Sequence, residues 1–76
     1  MLDVLVLGPE GALFEGKTRH IILPGEMGVF EVHSYHRPIL TRLLSGRIVM
    51  DGQALPIRRG VVKVERNHVV ALVEPP

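Results

Sequence analysis

Leu23-Pro24-Gly25-Glu26-Met27-Gly28-Val29-Phe30-Glu31-Val32, continuing through His36-Arg37-Pro38, is the stretch whose reading decides the fold. Pro24 fixes one φ and Gly25 can take a positive φ, so the pair predicts a turn after the strand-like run Arg19–Leu23. Gly28 lets the backbone reverse or bulge ahead of Phe30 and Val32, whose period-2 spacing buries them on one face. A proline turn, a glycine hinge and one large apolar anchor describe a stiff loop projecting from a sheet edge. Such loops carry recognition more often than chemistry. On local pattern alone the plainer reading, a hairpin turn, is favoured.

Outward from this stretch, towards the N-terminus, Leu2–Leu7 is a β-type run ended by the tight-turn signal Gly8-Pro9-Glu10-Gly11. Ala12–Glu15 predicts a short second strand closed by Gly16, and Lys17–Leu23 predicts a third. On the other side, His33-Ser34-Tyr35-His36 is polar and irregular. Pro38–Gly46 sets two rules against each other. Ile39, Leu40, Leu43 and Leu44 lie at helical spacing between a Pro and a Gly. Yet the segment is shorter than the roughly 12 residues at which helix propensity counts alone, so pattern leaves helix and strand open. Arg47–Met50, Asp51-Gly52 and Gln53–Ile57 make a hairpin, Asp-Gly suiting the positive φ values of a type I′ turn. Pro56 cannot donate to a ladder and marks an edge or a bulge. Val61–Glu65 alternates with Val62 and Val64 inward, Arg66-Asn67 turns the chain into Val69–Val73, and Glu74-Pro75-Pro76 stops it. Strands separated by turn signals about every 8–12 residues or fewer predict an all-β fold, a small antiparallel β-sandwich or flattened barrel of short strands.

Composition bounds what such a fold can do. A chain of 76 residues is one small domain, near the lower limit for a self-sufficient core. Its apolar fraction is 46% but its aromatic fraction only 4%, so Val, Ile and Leu must build that core. The absence of Cys excludes disulfide staples and thiolate metal sites, and a chain this short without staples often borrows stability from a partner. A net charge of +1 leaves no strong polyanion footprint. No charged region precedes a long apolar run at the N-terminus, and no run approaches the roughly 18 apolar residues of a membrane span. Leu2–Leu7 and Val69–Val73 are apolar on both parities, where a one-faced antiparallel strand should alternate. Loops could cover the second face; with so little chain to spare, a docking surface is favoured.

Chemical constellations are thin. His20, His33, His36 and His68 could in principle supply a metal, but His33 and His36 share a face only on a helix, and Pro38 argues against one. No metal site is expected, and His36 reads as a hydrogen-bonded structural residue. Neither Ser34 nor Ser45 sits on a nucleophile elbow. Gly25 and Gly28 do not cradle phosphate, because no Lys-Ser/Thr follows them. Arg37, Arg42, Arg47, Arg58, Arg59, Lys63 and Arg66 could form a basic stripe on a stand-alone nucleic-acid-binding module. One Tyr and two Phe leave few stacking platforms for it.

Leu23-Pro24-Gly25-x-x-Gly28-x-Phe30-x-Val32, then His36-x-Pro38-Ile39-Leu40-Thr41-x-Leu43 and Gly46, resembles the N-terminal β-sandwich domain of the epsilon subunit of F-type ATP synthases. The opening Gly8–Gly16 and the ending Gly60–Val64, Asn67 and Val69–Leu72 are similar to that family's segments in the same order, so the resemblance covers essentially the whole chain. It implies that Pro38–Leu44 is a strand. It further implies a non-catalytic rotor subunit, without cofactor, metal or catalytic residue, on the cytoplasmic side of a bacterial inner membrane. Its partners would be the gamma subunit and the polar loops of the c-ring, with no nucleic acid and no direct membrane insertion. Glu26, Met27, Gly28 and Val29 would face the c-ring, and His36, Arg37, Pro38, Thr41, Val70 and Leu72 the gamma subunit. The chain departs from the family pattern with Glu31 for Gly, Arg37 for Ala, Arg59 for Gly and Val61 for Phe. Family members continue into a two-helix C-terminal hairpin that binds ATP and restrains rotation. With the chain ending at Pro76, that hairpin is expected to be absent, and with it ATP sensing and inhibition.

Overall fold

The alternation of apolar side chains is realised as nine strands without a helix, in a computed structural model that describes residues 1–76. They are β1 (Leu2–Gly8), β2 (Gly11–Thr18), β3 (His20–Gly25), β4 (Gly28–His33), β5 (Ile39–Leu43), β6 (Gly46–Met50), β7 (Gln53–Ile57), β8 (Arg59–Glu65) and β9 (His68–Glu74). Hydrogen bonding runs in the order β2-β1-β9-β8-β5-β3-β6-β7, with β4 on β3. Only the pair Gly25↔Leu43 ties β5 to β3. The sheet curls there, and its two halves close on one core. That core is a single cluster of 15 buried apolar residues drawn from both halves, among them Val4, Val62 and Val69 on one side and Ile21, Leu23 and Ile48 on the other. Phe14 and Phe30 pack against its margin, so aliphatic residues carry the interior as the composition requires.

The all-β expectation holds, and the conflict over Pro38–Gly46 resolves as strand β5. Ile39–Leu43 pairs along its length with β8, which satisfies backbone groups that a helix this short would leave open to water. Pro56 lies on β7, at one end of the strand order, where its missing donor costs no ladder bond.

Five local expectations need correction. The sandwich is not wholly antiparallel: β1 and β9 pair in parallel from Asp3↔His68 to Leu7↔Leu72. Gly16 does not close the second strand, for β2 runs on to Thr18 with the Phe14 ring beside Gly16. The third strand therefore starts at His20, not Lys17, and the chain bends at Arg19, whose N–H donates to Asp51 Oδ2 at 3.0 Å. Asp51-Gly52 is not a type I′ turn, because only Gly52 has a positive φ, 73°. The turn with both central residues at positive φ is Arg66-Asn67, at 52° and 63°, between β8 and β9. Gly25, finally, has no positive φ, and what demands glycine there is space. A Cβ at Gly25 would stand 2.6 Å from Cε1 of Phe30.

Candidate functional site

The organising stretch folds as the β3–β4 hairpin, paired from His20↔His33 to Gly25↔Gly28, with Glu26 and Met27 at the turn. Phe30, opposite Leu23, lays its ring over bare Gly25, and Gly28 completes the turn at φ 118°. This anchoring holds up a tip of apolar side chains with nothing over them. Met27 is fully exposed and Val29 is 74% exposed. Glu26 is tied to β5 by an ion pair, Oε2 to Arg42 Nη2 at 3.0 Å. Between the tip and β5 lies an open cleft whose walls include Glu26, Met27 and Val29 on one side and His36, Arg37, Leu40 and Thr41 on the other. His36 is half-buried; its Nδ1 lies 2.7 Å from the carbonyl oxygen of Arg37, and its backbone N–H donates to His33 at 3.2 Å. Tyr35, at φ 66°, donates its N–H to Asn67 Oδ1 at 2.6 Å and so pins this connection to the β8–β9 turn.

A second surface comes from the outward parity of β5, β8, β9 and β1. Leu40 stands opposite Lys63, Lys63 opposite Val70, and Val70 opposite Leu5. One pleat further along, Arg42 faces Val61, Val61 faces Leu72, and Leu72 faces Leu7. Inward neighbours Val69, Ala71 and Val73 fill the core, so the β9 strand that reads apolar on both parities is apolar on two faces in fact. Leu72 remains 51% exposed and Leu40 77%. The stripe is bounded by ion pairs: Arg59 Nε to Glu74 Oε2 at 2.9 Å beyond one end, and Lys17 Nζ to Asp3 Oδ1 at 2.9 Å beyond the other. The Lys17 hydrogen bond, helped by the charges of His68 and the N-terminus, holds the Asp3 carboxyl below the ordinary aspartate value. Leu5, Leu7, Val61, Val70 and Leu72 make the apolar part of the stripe, with Lys63 and Arg42 on the side towards β5 and ion pairs at its ends, a make-up that suits a protein-binding patch.

The structure thus divides the ten residues singled out from the sequence between two places. Glu26, Met27, Gly28 and Val29 share the hairpin cleft with His36, Arg37 and Thr41. Val70 and Leu72 lie on the outer stripe; Pro38 is exposed where the chain enters β5. Thr41, opposite buried Val62, has the inward parity of β5 and does not share the outer face of Val70 and Leu72. Sequence reasoning missed the stripe members Leu40 and Val61, which strand parity could have found, and the ion pair of Arg42 with Glu26, which depends on β5 meeting β3 and has no local signal. His20 and His33 stack with ring centroids 5.7 Å apart beside Glu31, and no group of three or more His, Cys, Asp or Glu is placed to hold a metal ion. Of the residues read as a possible basic stripe, Arg42 and Arg59 are engaged in ion pairs and Arg47 lies on the other half of the sheet.

The family model for the beta-sandwich domain of the ATP synthase delta/epsilon chain matches residues 1–75. The chain belongs to that family. Curated relatives named ATP synthase epsilon chain include one from Nitratiruptor sp., 36% identical, and one from Sulfurimonas denitrificans, 33% identical; each alignment takes in 96% of this chain and 60% of the relative. A Burkholderia orbicola protein named ATP synthase epsilon chain 2 is 27% identical over 91% of this chain and 49% of its own length. The chain therefore spans between about half and 60% of the length of these relatives. Among solved structures, a chain of the Tetrahymena thermophila mitochondrial ATP synthase central stalk and c-ring superposes with a TM-score of 0.80 at 15% identity, over 96% of this chain and 63% of that one. At that identity the likeness speaks for the fold of the epsilon-type sandwich. No helix is long and apolar enough to cross a membrane.

Proposed function

We propose that this epsilon-family sandwich is a non-catalytic coupling element in the central stalk of an F-type ATP synthase, peripheral to the membrane on the cytoplasmic side of a bacterial inner membrane. In this reading the outer stripe of Leu7, Val61, Val70 and Leu72 seats the gamma subunit, and the hairpin tip of Glu26, Met27, Gly28 and Val29 rests on the polar loops of the c-ring. His36, Arg37 and Thr41, which the family resemblance assigns to the gamma subunit, line the hairpin cleft away from the stripe, and Pro38 follows them into β5, so in this reading they go with the tip. The observation that carries the proposal is that a chain of this family leaves an apolar outer face bare, with Leu72 51% exposed, while its inner face is fully used.

The mechanics follow from the fold. A rotor element passes torque without deforming, and a closed core of interdigitated aliphatic side chains resists shear as a crystal does. It also needs a permanent grip and a contact with the ring, which the stripe across β8, β9 and β1 and the projecting tip of the β3–β4 hairpin supply. No group in this domain is required to make or break a bond.

The test is co-purification with the gamma subunit encoded alongside this chain. An unpaired carboxylate placed in the stripe loses its water without gaining a partner, so Leu72→Asp or Val70→Asp lowers affinity by at least about tenfold, roughly 1.4 kcal/mol. Both positions are partly exposed, and the variants keep the wild-type melting profile. A gamma complex untouched by either change refutes the assignment of this face.

A further inference from the structure

The two charged residues that face each other across the hairpin cleft are in opposite electrical states. Glu26 is paired with Arg42 at 3.0 Å, so a partner that takes its carboxylate must compete with a cation already beside it. Arg37 is exposed, lines the same cleft, and takes part in none of the chain's ion pairs. Its backbone is nevertheless fixed. The Arg37 carbonyl meets His36 Nδ1 at 2.7 Å, and the following Pro38 restricts its φ and ψ, so the guanidinium swings from an anchored Cα. Around it Met27, Val29 and Leu40 are all more than 70% exposed. A partner covering them would exclude water and strengthen any ion pair formed beneath.

We infer that this cleft receives a protein loop presenting a carboxylate to Arg37, gripped between Met27 and Val29 on one wall and Leu40 on the other. The inference rests on the ring-facing assignment of the hairpin and gives that site its charge preference: acidic, where Glu26 read alone points to a basic partner. A planar guanidinium binds a carboxylate through two parallel hydrogen bonds. A loop offering Lys or Arg would meet an uncompensated cation, so Arg37 selects by repulsion as well as by attraction.

The experiment is the rebinding of purified head complexes carrying variants of this chain to membranes stripped of heads, at low and moderate salt. Arg37→Glu weakens rebinding by at least about tenfold and Arg37→Ala by about threefold, the deficit shrinking as salt rises, whereas the same charge reversal at exposed Arg47 on β6, outside the cleft, stays within about twofold of wild type. Replacing the acidic residues of the c-ring loops by Lys reproduces the Arg37→Glu defect and relieves it when the two are combined. If Met27→Asp impairs rebinding while Arg37→Glu leaves it unchanged or tightens it, the tip docks but the charge preference is wrong. If neither change has an effect, the ring-facing assignment falls and the inference with it. Arg37-dependent binding of the chain to protein-free anionic vesicles overturns the inference in favour of a lipid phosphate.

Discussion

Gly25→Ala is the smallest perturbation of the hairpin and the most informative. The backbone at Gly25 is not in the left-handed region, so alanine meets no conformational penalty there, and the whole effect comes from the added methyl. Its carbon would lie 2.6 Å from Cε1 and 2.8 Å from Cδ1 of Phe30, against the 3.4 Å at which ordinary contact begins, with the Gly28 carbonyl at 3.2 Å behind it. The ring must therefore withdraw by close to 1 Å from the margin of the core it packs against. Overpacking of this kind costs about 1–3 kcal/mol. A domain of this size loses about 4–8 °C in Tm per kcal/mol, so the expected drop is roughly 4–24 °C. Thermal unfolding followed by circular dichroism reads it. The mechanism is checked by repeating the substitution in a Phe30→Val background. There no δ- or ε-carbon remains to meet the methyl, and the penalty falls to within about 0.5 kcal/mol of zero. An unchanged Tm in Gly25→Ala, or an equal loss in both backgrounds, refutes the claim that glycine is required for the approach of Phe30.

Gly28→Val tests the neighbouring glycine on different physics. No atom lies within 4 Å of a Cβ there, but φ is 118°, so the cost of about 1–3 kcal/mol is backbone strain and Phe30→Val does not relieve it. A pH series addresses Asp3, whose carboxyl Lys17, His68 and the N-terminus hold below 3.8. A depressed carboxyl stabilises the fold above its unfolded value and loses that contribution as pH falls through the lowered one. Denaturant midpoints of the wild type therefore decline on acidification between about pH 5 and pH 2 more steeply than those of Asp3→Asn.

Strand identities were legible because side-chain parity is local. Val62 and Val64 inward and the Pro56 edge follow from a few consecutive residues, and so does the hairpin after β3, although its turn lies at Glu26-Met27 and the Pro24-Gly25 pair expected to make it stays within the strand. What the sequence hid is non-local or steric. The parallel pairing of β1 with β9 joins the two ends of the chain, so nothing within either strand announces it. Gly25 resembles a turn glycine until the Phe30 ring, five residues on, is seen lying over it. Arg66-Asn67 takes the turn conformation that Asp-Gly usually marks, since the β8–β9 register fixes a two-residue link there. The same limit applies to the site. That Val70 and Leu72 lie on a face which the chain leaves bare could be read from β9 alone. The pairing of Glu26 with Arg42 depends on β3 meeting β5 at Gly25↔Leu43, and that contact decides which charge the cleft offers.

The division of labour between the two surfaces is the central claim, and cysteine-directed cross-linking tests it most directly. The chain contains no cysteine, so Leu72→Cys and Met27→Cys each place one reactive thiol, on the outer stripe and on the hairpin tip respectively. In the assembled synthase, a short photoactivated cross-linker on Leu72→Cys should join this chain to the gamma subunit, and the same reagent on Met27→Cys should join it to a c subunit. Absence of both products, or the reverse pattern with the tip on gamma and the stripe on the ring, contradicts the account.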